Sequence, residues 1–329
     1  MSKPMRRREF LKSAALMAGA AGAGCLAGCT TAEQRGVYLG PPQRPAPKAP
    51  EKIGKFRAGN IQTGVDVAIA RQGGRSPAQL VRAAVEAIGG MAAFVKAGDA
   101  VVIKPNLGFA MPPGSGATTH PAVLQEVIRL VKAEKPGEII VCDRPIDRGS
   151  LFTVNGADAV CAAEGVSLYA ALNDGLFEDV MIGGQLVKRE PIIRDILDCD
   201  VYLDLPVAKQ HNATDVCVGM KNQLGSILRP QDFHNWGLHQ CIAELAKALR
   251  PTLTIVDAVY VLLTEGPKGP GYVEQKNTVL AGVDLVAVDI EGAKVVGYGV
   301  NDIKEGKNHL QFAFELGVGA LTGYQVREV

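Results

Sequence analysis

The chain reads as an α/β protein with a mostly parallel sheet and helices on both faces, either as one large domain or as two closely joined halves. Three observations predict this. Short apolar, β-branched runs recur along the sequence, amphipathic helical patterns with caps alternate with them, and polar residues stand where several runs stop.

Val65 to Ala70 reads as the first strand, and Ser76-Pro77-Ala78-Gln79 starts a helix. There Ser caps, Pro suits the first helical position and Gln closes a capping box. Leu80, Ala84 and Ile88 then mark one helical face. After Gly98-Asp99, the run Ala100-Val101-Val102-Ile103 has the character of a strand buried on both sides. Thr119 is placed to cap a helix from about His120 to Lys135, with Leu124, Val127, Ile128 and Val131 toward the core. Gly137 ends that helix, and Glu138 to Cys142 is the next strand. This βαβ alternation argues for parallel strands joined by right-handed crossovers. Cys199 to Leu205 and Leu253 to Val256 read as further strands, and Val286 to Tyr298 as a late helix capped by Asp284. Residues 150–198 are less regular and suit a helix with a small hairpin.

The beginning of the chain carries a different kind of information. Arg7-Arg8-Glu9-Phe10-Leu11-Lys12 precedes an Ala/Gly-rich apolar stretch from Ser13 to Gly24, too short and too weakly apolar for a spanning helix. It resembles a twin-arginine export signal, with Arg7 and Arg8 as the paired arginines. Leu26-Ala27-Gly28-Cys29 resembles the lipobox of bacterial lipoproteins, which implies lipidation of Cys29. Thr30 follows that cysteine, which by the same resemblance leans toward an outer membrane. Three segments are therefore expected: a signal peptide over 1–28, a lipidated Cys29 with a proline-rich tether over 29–60, and the α/β domain over 61–329. Pro41, Pro42, Pro45, Pro47 and Pro50 favour an extended, semi-rigid spacer. The implied location is the periplasmic face of a membrane, held by lipid rather than by an apolar helix.

Removing the signal takes five of the 35 basic residues and one of the 34 acidic residues, leaving 30 against 33, a charge of about −3. That balance offers no basic stripe for phosphate neutralisation, so no nucleic-acid partner is expected. Beyond the anchor, Cys142, Cys161, Cys199, Cys217 and Cys241 form no Cys-x-x-Cys pair and no iron–sulfur or zinc spacing. Buried apolar packing is their usual fate, with one disulfide left open for an oxidising compartment. Twin-arginine passengers travel folded, and many acquire a metal or organic cofactor beforehand. The resemblance thus leaves room for a bound metal or organic cofactor, whose identity stays unknown.

The polar residues at the ends of the apolar runs point to a site. Lys104-Pro105-Asn106 comes directly after Ile103, Asp143-Arg144 after Cys142, Lys209-Gln210-His211 shortly after Leu205, and Asp257 after Val256. In an open parallel sheet, the crevice beyond the carboxyl ends of the strands is where ligands bind. The densest segment runs from Lys209 to Gly225 and includes His211, Lys221 and Asn222. A lysine in apolar surroundings is either paired with a carboxylate or shifted in pKa, and both outcomes suit an anionic ligand or a proton abstraction. His211 titrates near neutral pH in its unperturbed form, which suits moving a proton or binding a metal. His234 can reach this region if the Lys221-Asn222 segment folds back. Asp257 and Asp289 are carboxylates in apolar settings that need partners, for which Lys104 and Lys221 are candidates. The loop Gly266-Pro267-Lys268-Gly269-Pro270-Gly271 is neither a Walker loop nor a dinucleotide fingerprint.

Val102-Ile103-Lys104-Pro105-Asn106-Leu107, Lys209 to His211, Lys221-Asn222 with Gly225, Thr254 to Asp257 and Ala281 to Asp289 resemble, in order, the sequence blocks of domain of unknown function 362. The resemblance runs from about Val65 to Gly319. It hands over no assigned catalytic residue. Some members carry ferredoxin-like cysteine clusters, which this chain lacks, so the iron–sulfur label does not transfer.

The expected function is a lipid-anchored, exported protein with a crevice for a small anionic ligand or cofactor, acting as an enzyme or a redox-associated protein. Lys104, Asn106, Lys209, Lys221 and Asn222 would hold the ligand, His211 would move a proton together with the Lys104 and Lys221 amines, and Asp143, Asp257 and Asp289 would orient the lysines or bind a metal. A second reading is a non-catalytic metal-, cofactor- or solute-binding lipoprotein serving a protein partner. A purely structural envelope protein has no need for the lysine/histidine cluster.

Overall fold

The computed structural model describes residues 54, 56–57, 64–71, 73–147, 151–303 and 306–329. The export signal, the Cys29 anchor and the proline-rich tether lie outside the described residues up to Ile53.

In chain order the elements are β1 (Val67–Ala70), α1 (Pro77–Ala87), β2 (Ala100–Pro105), α2 (Pro121–Ala133), β3 (Glu138–Asp143), α3 (Leu151–Val154), α4 (Ala157–Glu164) and β4 (Ser167–Ala170). Next come β5 (Phe177–Met181), β6 (Arg189–Ile193), α5 (Arg194–Asp198), β7 (Val201–Leu205), β8 (Lys209–His211), β9 (Asp215–Cys217) and α6 (Gly219–Asn222). The chain continues with α7 (Pro230–Trp236), α8 (Leu238–Ala248), β10 (Leu253–Leu262), β11 (Val273–Gly282), α9 (Leu285–Val296), α10 (His309–Glu315) and β12 (Val326–Glu328).

Eight strands form one sheet in the order β12-β1-β11-β10-β7-β2-β3-β4. Every neighbouring pair is parallel except the two made by β11, so β11 alone runs against the rest. The α/β class with a mostly parallel sheet is what the alternation predicts. Two small hairpins, β5–β6 and β8–β9, stand apart from the sheet.

Both faces are covered because strand side chains alternate between two apolar layers. Val101 and Ile103 join Leu80, Ala84, Ile88, Val127 and Ile128 on one side. Val102 and Tyr202 join Ile242, Leu245, Val286 and Ile290 on the other.

The helix starts show which local signals hold. Ser76 accepts from the Gln79 amide and the Gln79 side chain returns to the Ser76 amide, completing the expected capping box. Asp284 accepts from Ala287 N and caps α9. On α2 the cap is His120, whose Nδ1 accepts from Ala122 N, rather than Thr119. The Thr119 hydroxyl is drawn elsewhere: it accepts from Asn106 N at 2.8 Å and donates to Leu205 O at 2.9 Å, tying together the ends of β2 and β7.

Two further expectations change. Leu253 to Val256 is only the first part of β10, which continues to Leu262 because Ala258 to Leu262 goes on pairing with β11. Packed chain also begins before residue 61: Phe56 is buried against the Tyr202 ring at 5.5 Å, and Arg57 pairs with Asp99. The five described cysteines are all free and buried, and none joins another. Among the described residues, no helix is long and apolar enough to cross a membrane.

Candidate functional site

Where β2, β3 and β7 end on the same side of the sheet, the loops and the short helices α6 and α7 enclose a cavity of about 340 Å³. Lys104, Asn106, Asp143, Lys209, His211, Lys221, Asn222 and His234 all line it. Parallel strands deliver their carboxyl ends to one edge, which brings Lys104 and Asp143 together, while the β8–β9 hairpin carries Lys209 and His211 and the helices α6 and α7 carry Lys221, Asn222 and His234 to the same cavity.

At the floor, Lys104 stands one residue before the end of β2 with its side chain 1% exposed, and its Nζ lies 2.7 Å from Asp143 Oδ1. The ammonium also donates to Pro105 O at 3.1 Å. Asp143 accepts Leu107 N at 2.7 Å and Arg144 N at 2.9 Å, so both members of this buried pair are hydrogen-bonded beyond each other. Gly225 is fitted to the pair: a Cβ there would stand 2.2 Å from Asp143 Oδ1 and 2.6 Å from Lys104 Nζ. Beside them the buried Asp204 accepts from Asn222 Nδ2 at 2.7 Å. Burial pushes its carboxyl up to about 7, opposed by the Lys104 charge and the Asn222 bond.

Lys209 projects from β8, donates to Ala117 O at 2.5 Å and to Asn106 Oδ1 at 3.4 Å, and lies 5.1 Å from the centroid of the Phe109 ring. Burial lowers it to about 8, and the charges of Lys221 and Lys104 add to that effect. His211 accepts from Ala213 N through Nδ1 at 3.0 Å, which assigns the proton of its neutral ring to Nε2 as a donor. Burial, then Lys221 and Lys209, push this imidazole down to about 2. Burial and the neighbouring lysines thus shift His211 away from near-neutral titration and favour its neutral ring.

Lys221 sits on α6, 9% exposed, with burial lowering its pKa. Its side chain makes neither a hydrogen bond nor an ion pair among the described residues. Its backbone is held from a distance: Asp289, in the middle of α9, accepts Gly219 N at 2.8 Å and Met220 N at 3.0 Å. Burial raises the Asp289 carboxyl to about 8, with those two amide bonds opposing.

Asp257 and Asp289 are thus not part of the lining, and neither pairs with a lysine. Because β10 runs on past Val256, Asp257 lies within the strand, where it accepts His120 N at 2.6 Å and Val259 N at 3.0 Å and steadies the start of α2. Both acids satisfy backbone amides instead of ammonium groups. Among the described residues no three His, Cys, Asp or Glu side chains gather as a metal-ligand group. His234 reaches the cavity from α7, whereas His239 stands on α8 and stacks on His309 at 5.2 Å.

The Gly266 to Gly271 loop forms part of the wall. Gly266 N donates to Gln210 Oε1 at 2.6 Å, Pro267 lines the cavity, and Lys268 pairs with Asp147 at 2.8 Å. Sequence reasoning missed Phe109, Cys217 and Gln231 in the lining and Asp204 beneath it. Only Asp204 left a legible signal, a charge inside the apolar run Val201 to Leu205.

The sequence profile of the family described as Domain of unknown function (DUF362) matches residues 101–294, a narrower span than Val65 to Gly319. A curated relative, the thylakoid-associated protein sll1697 of Synechocystis sp., is 28% identical over 226 residues, 64% of this chain and 66% of that protein. The chain thus spans just under two thirds of that relative's length. Among solved structures, the lactate racemase apoprotein from Thermoanaerobacterium thermosaccharolyticum is similar at a TM-score of 0.45 and 15% identity, covering 74% of this chain and 60% of that one. A protein from Thermotoga maritima is similar at a TM-score of 0.37 and 11% identity, covering 56% and 51%.

Proposed function

We propose that the chain, which belongs to the DUF362 family, binds a small anionic ligand in the cavity at the strand ends and acts on it as an enzyme. One observation carries this reading. Asp143 is the single carboxylate among the lining residues, and Lys104 already neutralises it, which leaves the Lys209 and Lys221 amines buried without an acidic counterpart among the described residues. Removing an ammonium from water is costly, and an anion entering the cavity offsets that cost while taking up the donors of Lys209, Lys221, Asn106, Asn222 and the neutral His211. The volume suits a small molecule.

Calorimetric titration of the purified protein with phosphate, sulfate and small carboxylates tests it. Saturable binding that weakens about tenfold or more in Lys221→Met and in Lys209→Met, equivalent to about 1.4 kcal/mol each, supports the reading. Absence of binding by every anion, or binding indifferent to both substitutions, overturns it. The non-catalytic alternative predicts the same binding with no chemical change in any bound ligand.

The setting is proposed on the sequence alone. Arg7 and Arg8 direct export, Cys29 carries the lipid, and the domain works at the periplasmic face of a membrane. Mass spectrometry of the mature N-terminus tests this, and an unmodified Cys29 preceded by an intact residue 28 refutes it.

A further inference from the structure

We propose that Lys221 forms an imine with a small 2-oxo carboxylic acid bound in this cavity. The proposal rests on the anion-binding reading above and specifies the ligand.

The three lysines of the cavity differ in what they are free to do. Lys104 is committed to Asp143 at 2.7 Å and to Pro105 O. Lys209 is committed to Ala117 O and Asn106 Oδ1. Lys221 alone of the three ends in an amine with no acceptor among the described residues, although only 9% of the residue is exposed. Lys221 answers the charge of an anion as an ammonium, while burial without an acceptor keeps a share of it uncharged. The same burial favours the neutral amine, which is the nucleophile toward a carbonyl carbon.

The backbone beneath Lys221 is held by hydrogen bonds from distant elements. Asp289 fixes the amides of Gly219 and Met220, and Asn222 on the same short helix is tied to Asp204 at 2.7 Å and to Lys104 O at 3.3 Å. Glycine at 219 allows this seat, since a Cβ there would come within 2.9 Å of Asp289 Oδ1. Such a frame holds an amine in position without consuming its lone pair.

The remaining groups fit the rest of the ligand. Lys209 and Asn106 are placed for the carboxylate, and the Nε2–H of His211 is a neutral donor suited to the carbonyl oxygen. The step balances without a redox partner. The neutral Lys221 amine attacks the carbonyl carbon, a C=N bond replaces the C=O bond, and the carbonyl oxygen leaves as water with the two amine hydrogens.

Incubating the full chain with pyruvate and sodium borohydride, followed by peptide mass spectrometry, tests the proposal. The expected result is one carboxyethyl group on the peptide bearing Lys221, competed away by excess inorganic phosphate. Lys221→Arg should bind pyruvate and remain unmodified, with Lys221→Gln as a second variant if the arginine disturbs folding. Pyruvate that binds saturably to the wild type but leaves no adduct on Lys221 overturns the imine and leaves the anion site standing. An adduct spread equally over exposed lysines and persisting in Lys221→Arg also overturns it. If neither pyruvate nor phosphate binds, the anion-binding reading falls with it.

Discussion

Separating the members of the Lys104–Asp143 pair should cost far more than removing both. The two side chains are 1% and 3% exposed and lie 2.7 Å apart. Lys104→Met leaves a buried carboxylate that keeps the Leu107 and Arg144 amides, so its loss should fall near the lower end of the about 3–5 kcal/mol typical of a broken buried pair. Asp143→Asn strands an ammonium whose remaining acceptor is Pro105 O, and should fall near the upper end. The double variant removes both charges, and replacing such a pair by groups of similar volume is often close to neutral. The coupling energy from the cycle is therefore expected to exceed about 2 kcal/mol, well beyond the few tenths expected for independent sites. Urea unfolding of the four proteins, read by circular dichroism with slopes compared, supplies the numbers. Additive losses, with the double variant the least stable of the four, would refute the view that the two charges depend on each other.

Other expectations rest on neighbouring groups. Lys209 is lowered to about 8, so its charge is present below that pH and lost above it. Sulfate affinity, measured by calorimetry between about pH 6 and 10, where the charge of the ion itself stays constant, should fall as pH rises through about 8, and a flat profile would count against Lys209 as a ligand group. Gly225→Ala places a methyl 2.2 Å from Asp143 Oδ1, and should destabilise by about 1–3 kcal/mol as overpacking while weakening anion binding. Unchanged urea midpoints would show that the turn yields freely. His211 and His309 are lowered to about 2 and about 3, burial being the first cause of both, and their ring nitrogens should report neutral imidazole at about pH 5 by NMR. An inflection near 6.5 for either would contradict the buried setting.

Much of the fold was legible because its signals are local. The capping box at Ser76, the Asp284 cap and the apolar runs of β2, β3 and β7 depend on residues within a turn or a strand of one another. The edge at which ligand groups would gather was legible too, since parallel strands share one carboxyl end. Thr119 and the stop of β10 were misread for a common reason. Asn106 and Leu205 compete for the Thr119 hydroxyl, and β11 carries β10 on to Leu262; neither partner is adjacent in sequence.

The amino-acid sequence by itself determined the α/β class, the alternation of strands and helices, and the inventory of lysines, amides and imidazoles at the strand ends. Tertiary structure alone decided how the charges were shared out. Lys104 could have met any of three acids, and the β2–β3 register gave it Asp143, while Asp257 and Asp289 were turned toward backbone amides and Lys221 was left without a counter-charge among the described residues. Electrostatic pairing inside a protein depends on separations of a few ångströms in a poorly screening interior. Those separations are set by packing between distant segments, which spacing along the chain does not encode.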